Sequence, residues 1–415
     1  MYHVLTCLFI LIGFSSSILA KEPQKLAPLI ISAPLHKPQA ETIHPVNILT
    51  GADLALKQAT TIGETLKNEL GIHSMSFGSS VGQPVIRGQS GPRVQVLQNG
   101  LSSLDVSGVS PDHANSTEAL LAERIEVLRG PASLLYGSGA IGGIVNVIDN
   151  RIPMYLPKSA KLAVEQRYNS VSNQWSSVLK QDGSQGHLAW HLDGFYRRSD
   201  SYNVPISSNG LGTVQNTDAQ SWSGTLGSSW IDKWGMFGFS YNHLDNNYGV
   251  PPIDELVRID LKQNRYDVKA EFYQPSSWIK SLKLRFAYND YSHAELENGI
   301  TVGTQFYNKG LEGRAELVHK KIGFIDHGVW GFQANSKNLR VTGAEAYIPP
   351  SVTQNYAFFI VEDIHRQDIS YELGLRVEHQ QVDANGFARK NYTPISASLS
   401  ALWRATDNMS VSLAF

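Results

Sequence analysis

The segment ERIEVLRGPASLLYGSGAIGGIVNVID, Glu123 to Asp149, decides how the rest of this chain is read. Arg124, Ile125, Glu126, Val127 and Leu128 alternate polar and apolar, the period of a half-buried strand. Gly130 and Pro131 close the run. After Tyr136, Gly137, Gly139, Gly142 and Gly143 permit positive φ or a backbone approach that a side chain would block. Ile144, Val145, Val147 and Ile148 then resume a β-rich run. An ordinary glycine-rich hairpin is one reading. A dinucleotide-binding loop is set aside, because it needs a helix after its glycines and an acidic residue further on.

Upstream, PVIRGQSGPRVQVLQNG, Pro84 to Gly100, again sets short alternating strands around Gly88, Gly91 and Pro92, and Asn99–Gly100 is a strong hairpin-turn pair. With these two segments the chain resembles the TonB-dependent outer-membrane receptors, whose plug carries an IRG segment, an ERIEVLRGP segment and a YGSxAxGGxxN closing segment in that order. The resemblance runs from about residue 44 to 150. It implies an α+β plug domain inside a transmembrane antiparallel β-barrel of about 22 strands, in the outer membrane of a Gram-negative bacterium. The plug-motif residues are Arg87, Gly88, Arg129, Gly130, Pro131, Tyr136, Gly137, Gly142 and Gly143. Arg87 and Arg129 are expected to pair with lumen carboxylates of the barrel, since unpaired they would be costly in a partly dry interior.

The remainder of the chain fits that setting. Val4 to Phe14 is an apolar run too short to cross a bilayer as a helix, and Ala20 precedes the charged Lys21, which reads as a signal peptide cut after residue 20. His3 in place of Lys or Arg and the bulky Ile18 depart from the usual pattern. Cys7, the one cysteine, lies inside the leader, so the mature chain has neither disulfide nor thiolate metal site. A net charge of −2 with 17% charged residues gives no basis for nucleic-acid binding. No GxSxG elbow, HExxH helix or phosphate loop occurs, so no enzyme and no required cofactor are expected.

From about Ala160 onward the chain reads as strands of ten or more residues with alternating short and long connections. In ISYELGLRVEH, Ile369, Tyr371, Leu373, Leu375 and Val377 share one face, and Ser370, Glu372, Gly374, Arg376 and Glu378 the other. Leu282, Leu284, Phe286 and Tyr288 oppose Lys283, Arg285 and Ala287 in the same way. A soluble β-sandwich shares this pattern; the leader and the plug motifs decide for a barrel, and the recurring tryptophans suit its interfacial girdles. Roughly 12 or 13 strands are expected, short of the full barrel. An open sheet edge in hydrocarbon is costly, so the chain is expected to be a fragment or a truncated product. The domains are then a signal peptide (1–20), an N-terminal extension (21–43), a plug (44–150) and the N-terminal part of the barrel (151–415).

Within the extension, Leu29, Ile30, Ile31 and Ser32 occupy the place that the resemblance gives to the TonB box, which pairs by β-augmentation with the periplasmic energy-coupling protein. Other expected partners are outer-membrane lipid and a small ligand or metal ion, with the barrel a monomer.

The plug loop NGLSSLDVSGVSPDHANS places Asp112 beside His113 at a flexible tip. A carboxylate and an imidazole there suit Zn²⁺; a solvated tip with a capping Asp is the alternative. The VSPDHA segment, GTQFYNKGLEGRAELVH and GAEAYIPPS resemble the zinc-receptor branch of the family, which implies Asp112, His113 and Glu345 as metal ligands and Zn²⁺ as the transported species. A further barrel histidine of that branch would lie beyond Phe415. His293, Glu295 and Glu297 alternate along YSHAELENG and share a strand face, where they would collect cations or simply form a polar lumen face. His187 and His191 share a face in the same sense. An iron-siderophore or haem receptor, an adhesin and a non-transporting truncated barrel stand as alternatives.

Overall fold

A computed structural model describes residues 46–205, 212–252, 255–344, 346–406 and 409–415. The leader, the extension with Leu29 to Ser32, and Glu345 lie outside the described residues.

The quoted segment supplies two strands of a five-stranded sheet. β1 (Val46–Thr50), α1 (Gly51–Lys57), α2 (Ile62–Leu66), β2 (Ile72–Phe77), β3 (Val81–Ile86), β4 (Val94–Gln98), β5 (Leu101–Ser102), β6 (Arg124–Leu128) and β7 (Gly143–Ile148) follow in chain order. The sheet runs β1-β6-β7-β4-β5, and β2 and β3 form a separate hairpin. Only β4 and β7 are parallel. Leu49, Leu54, Ile62, Leu66, Ile125, Val127, Val145 and Val147 pack as one apolar core.

The alternation in β6 does not mark a half-exposed strand. β6 lies between β1 and β7 and is covered on both faces, and Glu126 is fully buried against Arg124, Nε to Oε1 2.5 Å. A carboxylate survives there because it is paired. The glycine-rich segment between β6 and β7 is a 3₁₀ turn followed by an irregular return. Gly143 has φ +139°, and a Cβ on Gly142 would lie 2.6 Å from the Gln89 side chain. Gly139 meets neither condition.

The wall is one antiparallel sheet of 14 strands. It comprises β8 (Lys161–Asn169), β9 (Gln174–Gln185), β10 (Leu188–Ser199), β11 (Ala219–Asp232), β12 (Gly235–Gly249), β13 (Val257–Tyr273), β14 (Ile279–Glu297), β15 (Thr301–His319), β16 (His327–Gly343), β17 (Ser351–Arg366), β18 (Ile369–Ala384), β19 (Lys390–Tyr392), β20 (Ile395–Thr406) and β21 (Met409–Ala414). Every strand but the three-residue β19 lies on one path in sequence order. The burial pattern is that of a barrel turned inside out relative to a globular core. In β18, Leu373, Leu375 and Val377 are exposed while Arg376 and Glu378 are buried. Outward tryptophans gather near the short turns: Trp230 and Trp234 flank the β11–β12 turn, and Trp278 and Trp330 lie 6.0 Å apart near the turns that open β14 and β16. Among the described residues no helix is long and apolar enough to cross a membrane, a statement that does not bear on strands.

The plug sits against the wall through contacts of a different polarity from those expected. Arg129 donates to Leu70 O (2.8 Å) and to Asn47 Oδ1, both inside the plug, and Arg87 is exposed. The cations at the seam come from the wall. Arg314 and Arg376 both donate to Leu135 O (2.8 and 3.1 Å), and Arg265 donates to Ser102 O (2.8 Å). Wall carboxylates receive plug N–H groups: Glu312 from Ser102 and Glu378 from Ser138. A plug of loops and turns offers backbone groups at its rim, and charged lumen side chains are long enough to satisfy them.

Candidate metal centre

The loop from Ser103 to Glu123 carries Asp112 and His113, and it is pinned throughout. Asp105 accepts hydrogen bonds from the N–H and hydroxyl of both Ser107 and Ser116, closing the loop's base. Gln83 Nε2 donates to Ser107 O at 2.7 Å and reaches Ser110 O and His113 O at 3.2 Å. From β12, the Tyr248 hydroxyl accepts from Ala114 N–H (2.9 Å) and donates to Asp112 O (3.2 Å), bracketing His113. The flexible tip expected from composition is therefore a fixed arch, and His113 is buried with 1% exposure.

This arch delivers His113 to the wall. Its Nδ1 donates to Val106 O (3.1 Å), an acceptor only, which leaves Nε2 as the nitrogen turned toward the wall. That Nε2 lies 3.2 Å from Glu295 Oε1 on β14. His293, also on β14, has Nδ1 held at 2.8 Å by the Tyr291 hydroxyl, and its buried Nε2 has no hydrogen-bond partner. His293 Nε2 is 3.8 Å from Glu295 Oε1. The two imidazoles meet edge to face with centroids 4.5 Å apart, and Phe306 packs on both. One ligand atom from each of His113, His293 and Glu295 lies within 4.8 Å of the others. Ligands about 2.0–2.2 Å from a tetrahedral ion stand roughly 3.3–3.6 Å apart, so small side-chain shifts would close this set around a Zn²⁺-sized ion.

The neighbouring candidates divide. Asp112 is half-buried, accepts the Ser110 hydroxyl, and lines the same cavity of about 450 Å³ with Glu255 and Glu295, beside the three-residue cluster rather than in it. Glu297 does not join; its carboxylate lies over Gly303, where the β14–β15 register slips. His191 is bracketed by Asp182 and Asp193 at 2.8 Å each, and His187 sits exposed at the turn before β10. Glu345 lies outside the described residues. Sequence reasoning missed Tyr248, Tyr291, Gln83 and Phe306. Tyr291 was within reach, two residues from His293 on the same strand face; nothing near the loop in sequence points to Tyr248.

Mixed plug sheet, inverted-polarity wall and a polar cluster at their seam define a plugged outer-membrane β-barrel. Residues 38–144 match the TonB-dependent receptor plug domain and residues 254–415 the TonB-dependent receptor-like β-barrel. The chain belongs to the TonB-dependent receptor family, a family of outer-membrane receptors and not of enzymes. Among solved structures it is similar to the copper transporter OprC (TM-score 0.76, 17% identity, covering 89% of this chain and 62% of that one). It is similar also to the FrpB iron transporter from Neisseria meningitidis (0.74, 12%, 89% and 64%) and to the ferric citrate transporter FecA (0.68, 16%, 90% and 62%). The chain thus spans under two thirds of the length of these structures.

Proposed function

We propose that this chain serves TonB-dependent uptake of a divalent transition-metal ion, Zn²⁺ above all, across the outer membrane. The observation that carries the reading is the meeting of His113, from the plug, with His293 and Glu295, from the wall. Two imidazole nitrogens and one carboxylate oxygen are the donor set of a three-ligand zinc site with an open position, and His113, Glu295 and Asp112 line the cavity beside it. The donors are too soft and too few for Ca²⁺ or Mg²⁺. A bare ion rather than a bulky chelate fits the narrow gap between the three groups.

Movement of the plug carries His113 away from His293 and Glu295 and dismantles the site. Engagement of Leu29 to Ser32 by the energy-coupling protein would supply the pull, with the proton-motive force as its source.

The test is Zn²⁺ titration of the chain in detergent by isothermal calorimetry, against His113→Ala, His293→Ala and Glu295→Gln. Each substitution is expected to weaken binding at least tenfold. Zn²⁺ affinity unchanged in all three would sink the reading. Cu²⁺ is the first competitor to include, because most nitrogen and oxygen sites bind it more tightly and a copper transporter is among the similar structures.

A further inference from the structure

A second chamber, of about 340 Å³, lies between the plug's Asn99–Gly100 hairpin and strands β13 and β14. It is far from the metal centre: Arg285, on its wall, precedes His293 on β14 by roughly 26 Å at about 3.3 Å per residue. Its lining is chemically unlike that of the cavity beside the metal centre. Tyr136, Ile148, Ile152, Met154 and Tyr155 give it an apolar body, and Lys269 and Arg285 give it a cationic end.

The charges there do not cancel. Lys269 makes no salt bridge among the described residues; its ammonium is hydrogen-bonded only to the thioether of Met154, a weak acceptor. Arg285 gives one N–H to Glu316 at 3.0 Å, but its buried Nε has no partner. The acidic groups at the chamber's edge are committed elsewhere. Asp149 holds Arg151 (2.9 Å), and Asp267 is shared between Arg151 (3.3 Å) and Arg265 (3.0 Å). Burial pushes the Glu123 carboxyl above its ordinary range, which weakens it as a counterion. A buried ammonium and a guanidinium N–H without an anionic partner are costly unless something supplies one. Gly100 brings the hairpin to within 3.5 Å of the Arg285 guanidinium, measured from where a Cβ would stand, so the cationic end is closed off from above.

We propose that this chamber is a binding site for a small carboxylate with an apolar or aromatic body, its carboxylate between Lys269 Nζ and Arg285 Nε and its body against Tyr136, Ile152 and Tyr155. The proposal stands independently of the metal reading. A cavity of this size and lining suits a ligand of one or two rings, and a charge-assisted pair of donors selects a carboxylate over the corresponding alcohol.

The probe is 2-naphthoate, titrated into the full chain in detergent micelles by calorimetry, with naphthalene-2-methanol and inorganic phosphate as comparison ligands. Saturable 2-naphthoate binding is expected, weakened at least tenfold in Lys269→Met, kept within threefold in Lys269→Arg and unchanged in His113→Ala. The alcohol and phosphate are expected to bind at least tenfold more weakly. The proposal is overturned by absence of saturable binding in both the native chain and Lys269→Arg, by equal binding in Lys269→Met, or by equal binding of either comparison ligand.

Discussion

The plug and the wall bury opposite things. The plug interior holds Leu54, Ile62, Leu66, Ile125 and Val145, whereas the lumen face of the wall holds Arg265, Arg314, Arg376, Glu312 and Glu316 at equal or nearly equal burial. One region is stabilised by removing hydrocarbon from water. The other puts its hydrocarbon outside and pairs its charges within. Burial alone therefore says nothing about chemistry in this molecule. What matters is whether a buried group faces sheet, lumen or seam, and both candidate sites lie at the seam, where wall side chains meet plug elements.

The sharpest way to break this comparison is to add a charge to one region and remove one from the other. Ile125→Asp leaves an unpaired carboxylate in the plug sheet and is expected to cost about 4 kcal/mol or more, unfolding the plug; limited proteolysis within residues 44–150 would report it. Were the plug to stay resistant, its core would not be the apolar one described. The mirror experiment, Arg314→Leu, removes a lumen charge. It leaves Glu316 with Arg285 as its hydrogen-bonded cation and takes one of two donors from Leu135 O, at an expected cost of about 2 kcal/mol, read as a lower unfolding midpoint in urea.

Acid probes the seam more gently. Burial raises the Asp149 carboxyl, but the Arg151 guanidinium and hydrogen bonds from Asn99 and Gln98 outweigh it and hold the group below its ordinary value. Its stabilising contribution is thus complete above the unfolded-state value of about 3.9 and lost as pH falls through the lower folded value. Proteolytic sensitivity around residues 149–155 should rise only below about pH 4; sensitivity appearing near neutrality would contradict this anchoring. The smallest effect is expected from Tyr248→Phe, which removes both hydrogen bonds bracketing His113. A loss of about 1 kcal/mol, or roughly fivefold in Zn²⁺ affinity with the fold intact, would place Tyr248 as a positioning residue. No change would show the arch holding its shape through Asp105 and Gln83 alone.

Much of the fold was legible because its signals are local. Glycines that need positive φ, a two-residue hairpin turn and period-two alternation all operate within a few residues, and they located β4, β6, β7 and the long wall strands. What eluded sequence was whatever depends on which element stands opposite. Glu126 looks like an outward residue of an alternating strand until the fold buries both faces of β6. Arg129 looks like a seam cation until Asn47 and Leu70 come to meet it. The candidate site divides in the same way: His113, His293 and Glu295 were each visible as possible donors, but their meeting joins positions about 180 residues apart in the chain, and no spacing rule reaches so far.

The split of that cluster between plug and wall sets a bargain for any receptor built this way. On the proposed function, an ion held by His113 on one side and by His293 and Glu295 on the other would be a fastener as well as a cargo. By linkage, whatever free energy the ion gains from closing the two bodies must be returned when they part. A variant that scavenges metal more tightly at this seam should therefore demand more work per ion to unload, so capture at low supply and throughput at high supply pull this geometry in opposite directions.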